Sequence, residues 1–281
     1  MTDRQTGRIV ATAFGPMLWG TTYIVFSRTL PTDHPILISA LRALPAGLIL
    51  LVAVRSLPSV KILLPVTTLA ITNIGLFFAL LLVSAARLPG GITATLAACQ
   101  PLLVAFIAWP VLGRRPTLRQ FILASIGVLG VALMLLDGRL SLDAVGILAG
   151  IGAAVSMAFG IVLMERWRGL ATPLQMTTWQ LLISGVLLLP IASVIEGVPS
   201  VWGPQSLPGL GYLIVFATAL SYWLWIGGVQ LYGSRASVLA FLSPVVALVL
   251  GAAILSETLG LRQIIGIALV FSSIGLSIRR S

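Results

Sequence analysis

Gly90-Gly91-Ile92-Thr93-Ala94-Thr95-Leu96-Ala97-Ala98-Cys99-Gln100-Pro101 aligns without a gap on Gly233-Ser234-Arg235-Ala236-Ser237-Val238-Leu239-Ala240-Phe241-Leu242-Ser243-Pro244, 143 positions further on. The same spacing brings Leu112-Gly113-Arg114 onto Leu255-Ser256-Glu257 and Leu118-Arg119-Gln120 onto Leu261-Arg262-Gln263. Earlier in the chain the offset is 138: Pro35 meets Pro173 and Arg42 meets Gln180. The Gly/Pro-rich stretch between Glu196 and Pro208 absorbs the difference. Low-complexity apolar segments align easily by chance, but a shared Leu-Arg-Gln after a shared proline, in register, points to duplication.

Outward from this repeat the chain carries almost no charge. Its 281 residues include 17 Lys and Arg and 7 Asp and Glu, with 58% hydrophobic residues and a mean hydropathy of +1.10. Soluble domains are about a quarter charged, so a water-soluble globule is excluded. A net charge of +10 would suit nucleic acid only if the basic residues were gathered on one face. They stand singly or in pairs between apolar runs, so no nucleic-acid partner is expected. The single Cys99 excludes an internal disulfide, and the lone His34 beside few carboxylates argues against a metal site. No cofactor is expected. The first apolar run follows a short basic segment and has no small-x-small cleavage site, so it reads as a retained helix.

Breaking the sequence at charges, prolines and glycines leaves ten apolar runs, at 9–28, 35–55, 62–86, 89–112, 117–136, 142–164, 173–195, 208–232, 235–256 and 261–278. Each approaches or exceeds the about 20 residues that cross a bilayer as a helix. In hydrocarbon every backbone amide must be paired within the segment, and period-two alternation is lacking, so the runs are helices. The fold class expected is all-α integral membrane, with ten transmembrane helices. Twelve of the Lys and Arg residues then fall on the side of the termini, and four (Arg28, Arg87, Arg139 and Arg262) on the other. The positive-inside rule places both termini in the cytoplasm of a bacterial inner membrane.

Five helices per half is an odd number, so the second half must enter the membrane from the opposite face. Residues 1–140 and 141–281 are thus expected to form two inverted five-helix repeats, the arrangement of many secondary transporters. The paired loops agree, since Arg114-Arg115 on one side are replaced by Glu257-Thr258 on the other.

The run Ala236 to Pro244, then Leu255-Ser256-Glu257-Thr258-Leu259, then Gln263-Ile264-Ile265-Gly266, resembles the signature of the EamA family of the drug/metabolite transporter superfamily. The resemblance covers essentially the whole chain. The first half departs from the signature, with Arg114 where the family usually has Glu and Leu123 where it has glycine. Within the family the sequence is similar to the YddG branch of aromatic amino-acid exporters. The resemblance implies ten helices in two inverted repeats, with a central cavity to which the first three helices of each half contribute and the fourth helices beside them. It also implies export of small metabolites, amino acids first.

Polar groups inside a membrane are costly and usually face a cavity or another helix. No Asp or Glu lies at the centre of a predicted span, so ion coupling through a buried carboxylate has no evident carrier. A passive uniporter or exchanger is expected. Arg42 is the one charge well inside a span. It fits two roles: a side chain snorkelling outward or pairing with Asp33, or a fixed cation that meets a substrate carboxylate. Asn73, Gln100, Ser156 and Gln180 are candidate hydrogen-bonding residues. Trp19, Tyr23, Phe77, Phe78, Phe159, Trp179, Tyr222 and Trp225 lie deep enough to form an aromatic wall. Trp19 and Tyr23, four apart, and Tyr222 and Trp225, three apart, share helix faces. Core packing is the alternative for any one of them. Pro101 and Pro244 interrupt equivalent helices and read as hinges or kinks.

The expected partners are a small-molecule substrate and membrane lipid; the sequence leaves the oligomeric state open, a monomer included. Export of amphipathic metabolites by alternating access leads. A multidrug or quaternary-cation exporter is the alternative within the fold. A lipid flippase or a membrane-embedded lipid-modifying enzyme is the alternative outside it. The last needs acidic metal ligands or a nucleophile–base pair, for which seven scattered acidic residues offer little.

Overall fold

The computed structural model describes residues 3–88, 90–135, 143–197, 202–255 and 260–278. All its regular elements are helical, with no strand among the described residues. Seven segments are long and apolar enough to cross a membrane, and two shorter apolar helices, 118–133 and 261–277, accompany them. This is a multi-pass integral membrane protein. Arg139, Arg279 and Arg280, used in the charge count, and Glu257 and Thr258 of the paired loops lie outside the described residues.

The helix ends follow local chemistry. Helices α1 (Asp3–Gly20) and α2 (Thr22–Thr29) form one rod interrupted at Thr21, whose hydroxyl donates back to Leu18 O at 2.7 Å. Helix α3 (Pro35–Val54) starts on a proline, whose missing N–H leaves nothing to satisfy there. Its next two amides, Ile36 and Leu37, donate to the two carboxylate oxygens of Glu196 at 2.9 and 2.8 Å. Glu196 therefore caps a helix of the other half, with its charge at the positive end of the helix dipole.

Helix α4 (Val60–Leu69) passes through a π-helical turn, Ala70–Gly75, into α5 (Leu76–Arg87). Then follow α6 (Gly90–Ala97), α7 (Gln100–Leu112) and α8 (Leu118–Leu135). Helix α9 (Ala144–Arg166) is capped by Asp143, which accepts from Gly146 N at 2.7 Å. Helix α10 (Pro173–Ile195) opens on a capping box formed by Thr172 and Gln175. Helix α11 (Ser206–Ile214) runs through a second π-helical turn, Val215–Leu220, into α12 (Ser221–Tyr232). A 3-10 stretch, Gly233–Phe241, leads to α13 (Leu242–Leu255), and α14 (Leu261–Ile278) ends the described chain.

Pro101 and Pro244 stand near the starts of α7 and α13, not in the middle of continuous α-helices. In the first half the α-helix stops at Ala97 and restarts at Gln100; in the second the approach is a 3-10 helix. Either way the regular ladder is broken just ahead of the proline, where its missing N–H and bulky ring do least harm.

The two π turns open the backbone for side chains from other helices. A π turn leaves carbonyls outside the regular i to i+4 ladder. Ser184 donates to Ala70 O at 2.7 Å and Ser156 to Thr72 O at 2.6 Å. In the second π turn, Ala217 O accepts from Arg42 and Thr218 O from Ser221.

Helices α3 and α10 pack through a reciprocal contact. A Cβ added at Gly47 would lie 2.7 Å from Leu182 N, and one at Gly185 would lie 2.6 Å from Leu44 N. Gly47 and Gly185 are 138 positions apart, as are Leu44 and Leu182. Each glycine thus admits the leucine that corresponds to its own neighbour, and the two backbones approach as small residues allow.

Candidate functional site

Arg42 is 1% exposed, near the middle of α3. Its Nε donates to Thr218 Oγ1 and its Nη2 to Ala217 O, both at 2.8 Å. The guanidinium lies over the Phe78 ring, 4.2 Å from the centroid. Neither the snorkelling role nor a pairing with Asp33 holds. The side chain turns into the protein, and Asp33 is 75% exposed beside His34. The π turn supplies the reason, because it leaves a carbonyl and a hydroxyl pointing at α3. Among the described residues the ion pairs are Asp33–His34, Arg87–Asp143 and Arg114–Glu165, and none reaches Arg42. Two charge-assisted hydrogen bonds and an aromatic face offset part of the desolvation of this charge. A counter-charge would offset more.

A central cavity of about 40 Å³ adjoins Arg42. Trp19, Tyr23, Phe77 and Phe78 wall it, Gln100 and Thr22 add polar groups, and Ala240, Ser243 and Pro244 close it from the second half. That volume holds about one water molecule, so the centre is closed in this conformation. Buried and without hydrogen-bond partners stand Thr22 Oγ1, Gln100 Nε2, Tyr222 Oη and Trp225 Nε1. Tyr222 and Trp225 form a second layer behind the cavity, their rings 5.0 and 5.2 Å from that of Trp19. Trp19 Nε1 donates to Ser221 Oγ at 3.0 Å, which fixes the indole. Close packing of α1 on α12 and α13 holds this wall. A Cβ at Gly15 would meet Ser221 O at 2.8 Å, and one at Gly20 would meet Ser243 O.

A larger cavity of about 640 Å³ lies next to the central one, lined by Arg114, Arg115, Arg119, Arg235 and Ser237. Gln100 lines the small cavity and its neighbour Pro101 the large one. The segment around the α6–α7 break and the 3-10 stretch opposite thus contribute residues to both cavities.

The remaining candidates lie elsewhere. Asn73 Nδ2 donates to Gln180 Oε1 at 3.0 Å, joining the first π turn to α10. Ser156 is held by Thr72 O in the same region. Trp179 points toward the α3–α4 loop and donates to Ser56 O at 2.8 Å. Phe159 is 40% exposed on the outer surface of α9. Depth along the helix can be read from sequence for these two; the direction each side chain faces is set by packing.

Thr218 was missed as the partner of Arg42, and no pattern in the sequence marks a π turn. Ala94, Ala97 and Ala98, which give the cavity its room, were also missed. Their signal was present in the gap-free repeat, where Ala97 and Ala240 occupy equivalent positions.

Residues 7–136 and, separately, 144–279 match the EamA-like transporter family. The chain belongs to the EamA-like transporter family. PecM of Dickeya dadantii (strain 3937) is 36% identical to this EamA chain over 264 residues, spanning 93% of it and 89% of PecM. The uncharacterized transporter YvbV of Bacillus subtilis (strain 168) is 29% identical over 284 residues, spanning 97% and 92%. The uncharacterized inner membrane transporter YedA of Escherichia coli (strain K12) is 27% identical over 258 residues, spanning 86% and 81%. A solved crystal structure superposes with a TM-score of 0.79 at 18% identity, covering 97% of this chain and 96% of that one. At that identity the likeness concerns the EamA chain's fold alone. Family and relatives indicate a transporter rather than an enzyme.

Proposed function

We propose that this protein exports small amphipathic metabolites, amino acids including aromatic ones foremost, across the bacterial inner membrane by alternating access. Its frame is ten crossings in two inverted five-helix repeats, 1–140 and 141–281, with both termini cytoplasmic. One of the seven long apolar segments, Ser206–Leu250, has 45 residues. At 1.5 Å per residue that is about 68 Å, enough for two crossings of a core about 30 Å thick. With the two shorter helices it brings the number to ten. The reciprocal Gly47 and Gly185 contacts and the two separate family matches support the duplication. The printed name of YedA, an inner membrane transporter, supports the location.

The observation that carries the transport reading is the closed aromatic and polar cavity where the halves meet, beside a larger basic cavity. With the arginine-rich side in the cytoplasm, this is an inward-facing vestibule leading to an occluded site. Passage outward then requires the helices around Pro101 and Pro244 to part on one face while the other closes. Among the described residues no carboxylate lines the central cavity, which supports passive transport or exchange.

Counterflow of labelled L-phenylalanine in proteoliposomes tests the reading. Trp19→Ala and Tyr222→Ala should each slow it severalfold; unchanged rates in both remove this cavity as the site. Accumulation above equilibrium under an imposed pH gradient would overturn the passive mechanism.

A further inference from the structure

We infer that the central site recognises its substrate through a carboxylate, which docks on Arg42 as the counter-charge that no ion pair among the described residues provides, and that organic cations are excluded. This rests on the transport reading above and narrows its substrate class.

The central cavity is lined by groups that seek an acceptor. A guanidinium has five N–H donors. At Arg42 two heavy atoms are engaged, by Thr218 and Ala217, and both partners are neutral. Thr22 Oγ1 and Gln100 Nε2 line the same cavity, each residue 3% exposed, and neither atom has a partner. Tyr222 Oη, behind Trp19 and Phe78, is also unpartnered. A buried polar atom without a hydrogen bond is destabilising, so such a cluster marks a place where something else binds. A carboxylate suits it, because it only accepts and offers about four lone-pair sites.

What is missing narrows the choice further. Among the described residues, Arg42 is the only charged one lining the cavity. Four of the described carboxylates are engaged elsewhere: Asp33 by His34, Asp143 by Arg87 and Gly146, Glu165 by Arg114 and Ser234, and Glu196 by α3. An ammonium or quaternary group would find aromatic faces but also a fixed cation on Phe78, one of those faces. An aromatic carboxylate meets complementary groups at both ends, its ring on Trp19, Tyr23 or Phe77 and its anion on Arg42. The basic vestibule adds to this by raising the local concentration of anions.

Three competitors that share one ring test the inference in wild-type proteoliposomes: L-phenylalanine, 3-phenylpropanoate and phenethylamine, against counterflow of labelled L-phenylalanine. The first two should compete and the amine should not. Arg42→Gln should weaken competition by 3-phenylpropanoate about thirtyfold or more, and Arg42→Lys by less. Should Arg42→Gln not yield folded protein, Gln100→Leu serves, with competition by 3-phenylpropanoate weakened severalfold and the amine still inactive. A readout that needs no variant is the melting temperature of the purified wild-type protein, which 3-phenylpropanoate should raise and phenethylamine should not. Equal competition by acid and amine, or unchanged counterflow in folded Arg42→Gln, overturns carboxylate recognition while leaving transport intact. Absence of counterflow and of thermal stabilisation with all three removes the transport reading as well.

Discussion

Arg42 donates to Thr218 at 2.8 Å, and its counterpart Gln180, 138 positions on, accepts from Asn73 at 3.0 Å. Asn73 and Thr218 occupy the same fourth position of the two π turns, Ala70–Gly75 and Val215–Leu220. The same junction, a side chain of α3 or α10 bonded to the π turn of the other half, is made twice. One copy carries a charge and the other is neutral.

That difference predicts unequal costs. Thr218→Val keeps shape but strands the Arg42 Nε–H and should destabilise by about 2 kcal/mol, within the range for a bond to a charged group. Gln180→Met strands the Asn73 amide and should cost about 1 kcal/mol. Denaturation in detergent ranks them, and a larger loss in Gln180→Met would contradict the assignment of the charged junction.

The reciprocal α3–α10 packing predicts a pair of intolerant glycines. Gly47→Ala and Gly185→Ala each place a Cβ within 2.7 Å of backbone, so the helices must separate. Each should cost about 1–3 kcal/mol. Gly211→Ala, with nothing within 4 Å, should be neutral or stabilising by up to about 1 kcal/mol through helix propensity. Melting temperatures of the three variants decide it, and equal values would argue against close packing at this seam.

Gly233 ends α12 at φ 66°, ψ −153°, a region essentially reserved for glycine, and an added Cβ would meet the Glu165 carboxyl at 2.6 Å. Glu165 there accepts from Ser234 N at 2.6 Å and pairs with Arg114. Gly233→Ala should therefore destabilise by more than Gly113→Ala, which sits at φ 70° in open space. Adding Glu165→Ala should relieve the clash but not the backbone strain. A double variant as stable as the wild type would show that strain is negligible.

Two aromatic residues separate depth from direction. Phe159→Ala should leave L-phenylalanine counterflow within about twofold of wild type, because Phe159 faces outward. Trp179→Phe should lower stability by about 1 kcal/mol, through the lost bond to Ser56 O, with counterflow unaffected. A severalfold fall in counterflow for either one places it at the site after all.

The helices were legible because their ends carry chemistry the membrane demands: Pro35 and Pro173 at two starts, Arg87 and Arg166 at two ends. The cavity was legible in part. Trp19, Tyr23, Arg42, Phe77, Phe78 and Gln100 lie together because intramembrane polar and aromatic side chains concentrate where lipid is absent. The α1–α2 interruption at Thr21 and both π turns left no trace, since one displaced backbone bond changes no residue type. Without the π turns the acceptors for Arg42 were invisible. Its environment depends on residues about 175 positions away, so the sequence left snorkelling and a fixed inner cation both open for it.

The unequal junctions bear on how an empty carrier rests. Under the proposed exchange of halves, identical repeats would leave the unloaded protein indifferent to which face it opens. Arg42 opposite a neutral Gln180 removes that indifference, so the two orientations differ in energy and the unloaded protein waits on one side. Net flux still follows the substrate gradient. The half-saturating concentration, however, should differ between inside-out and right-side-out vesicles, and Arg42→Gln should bring the two values together.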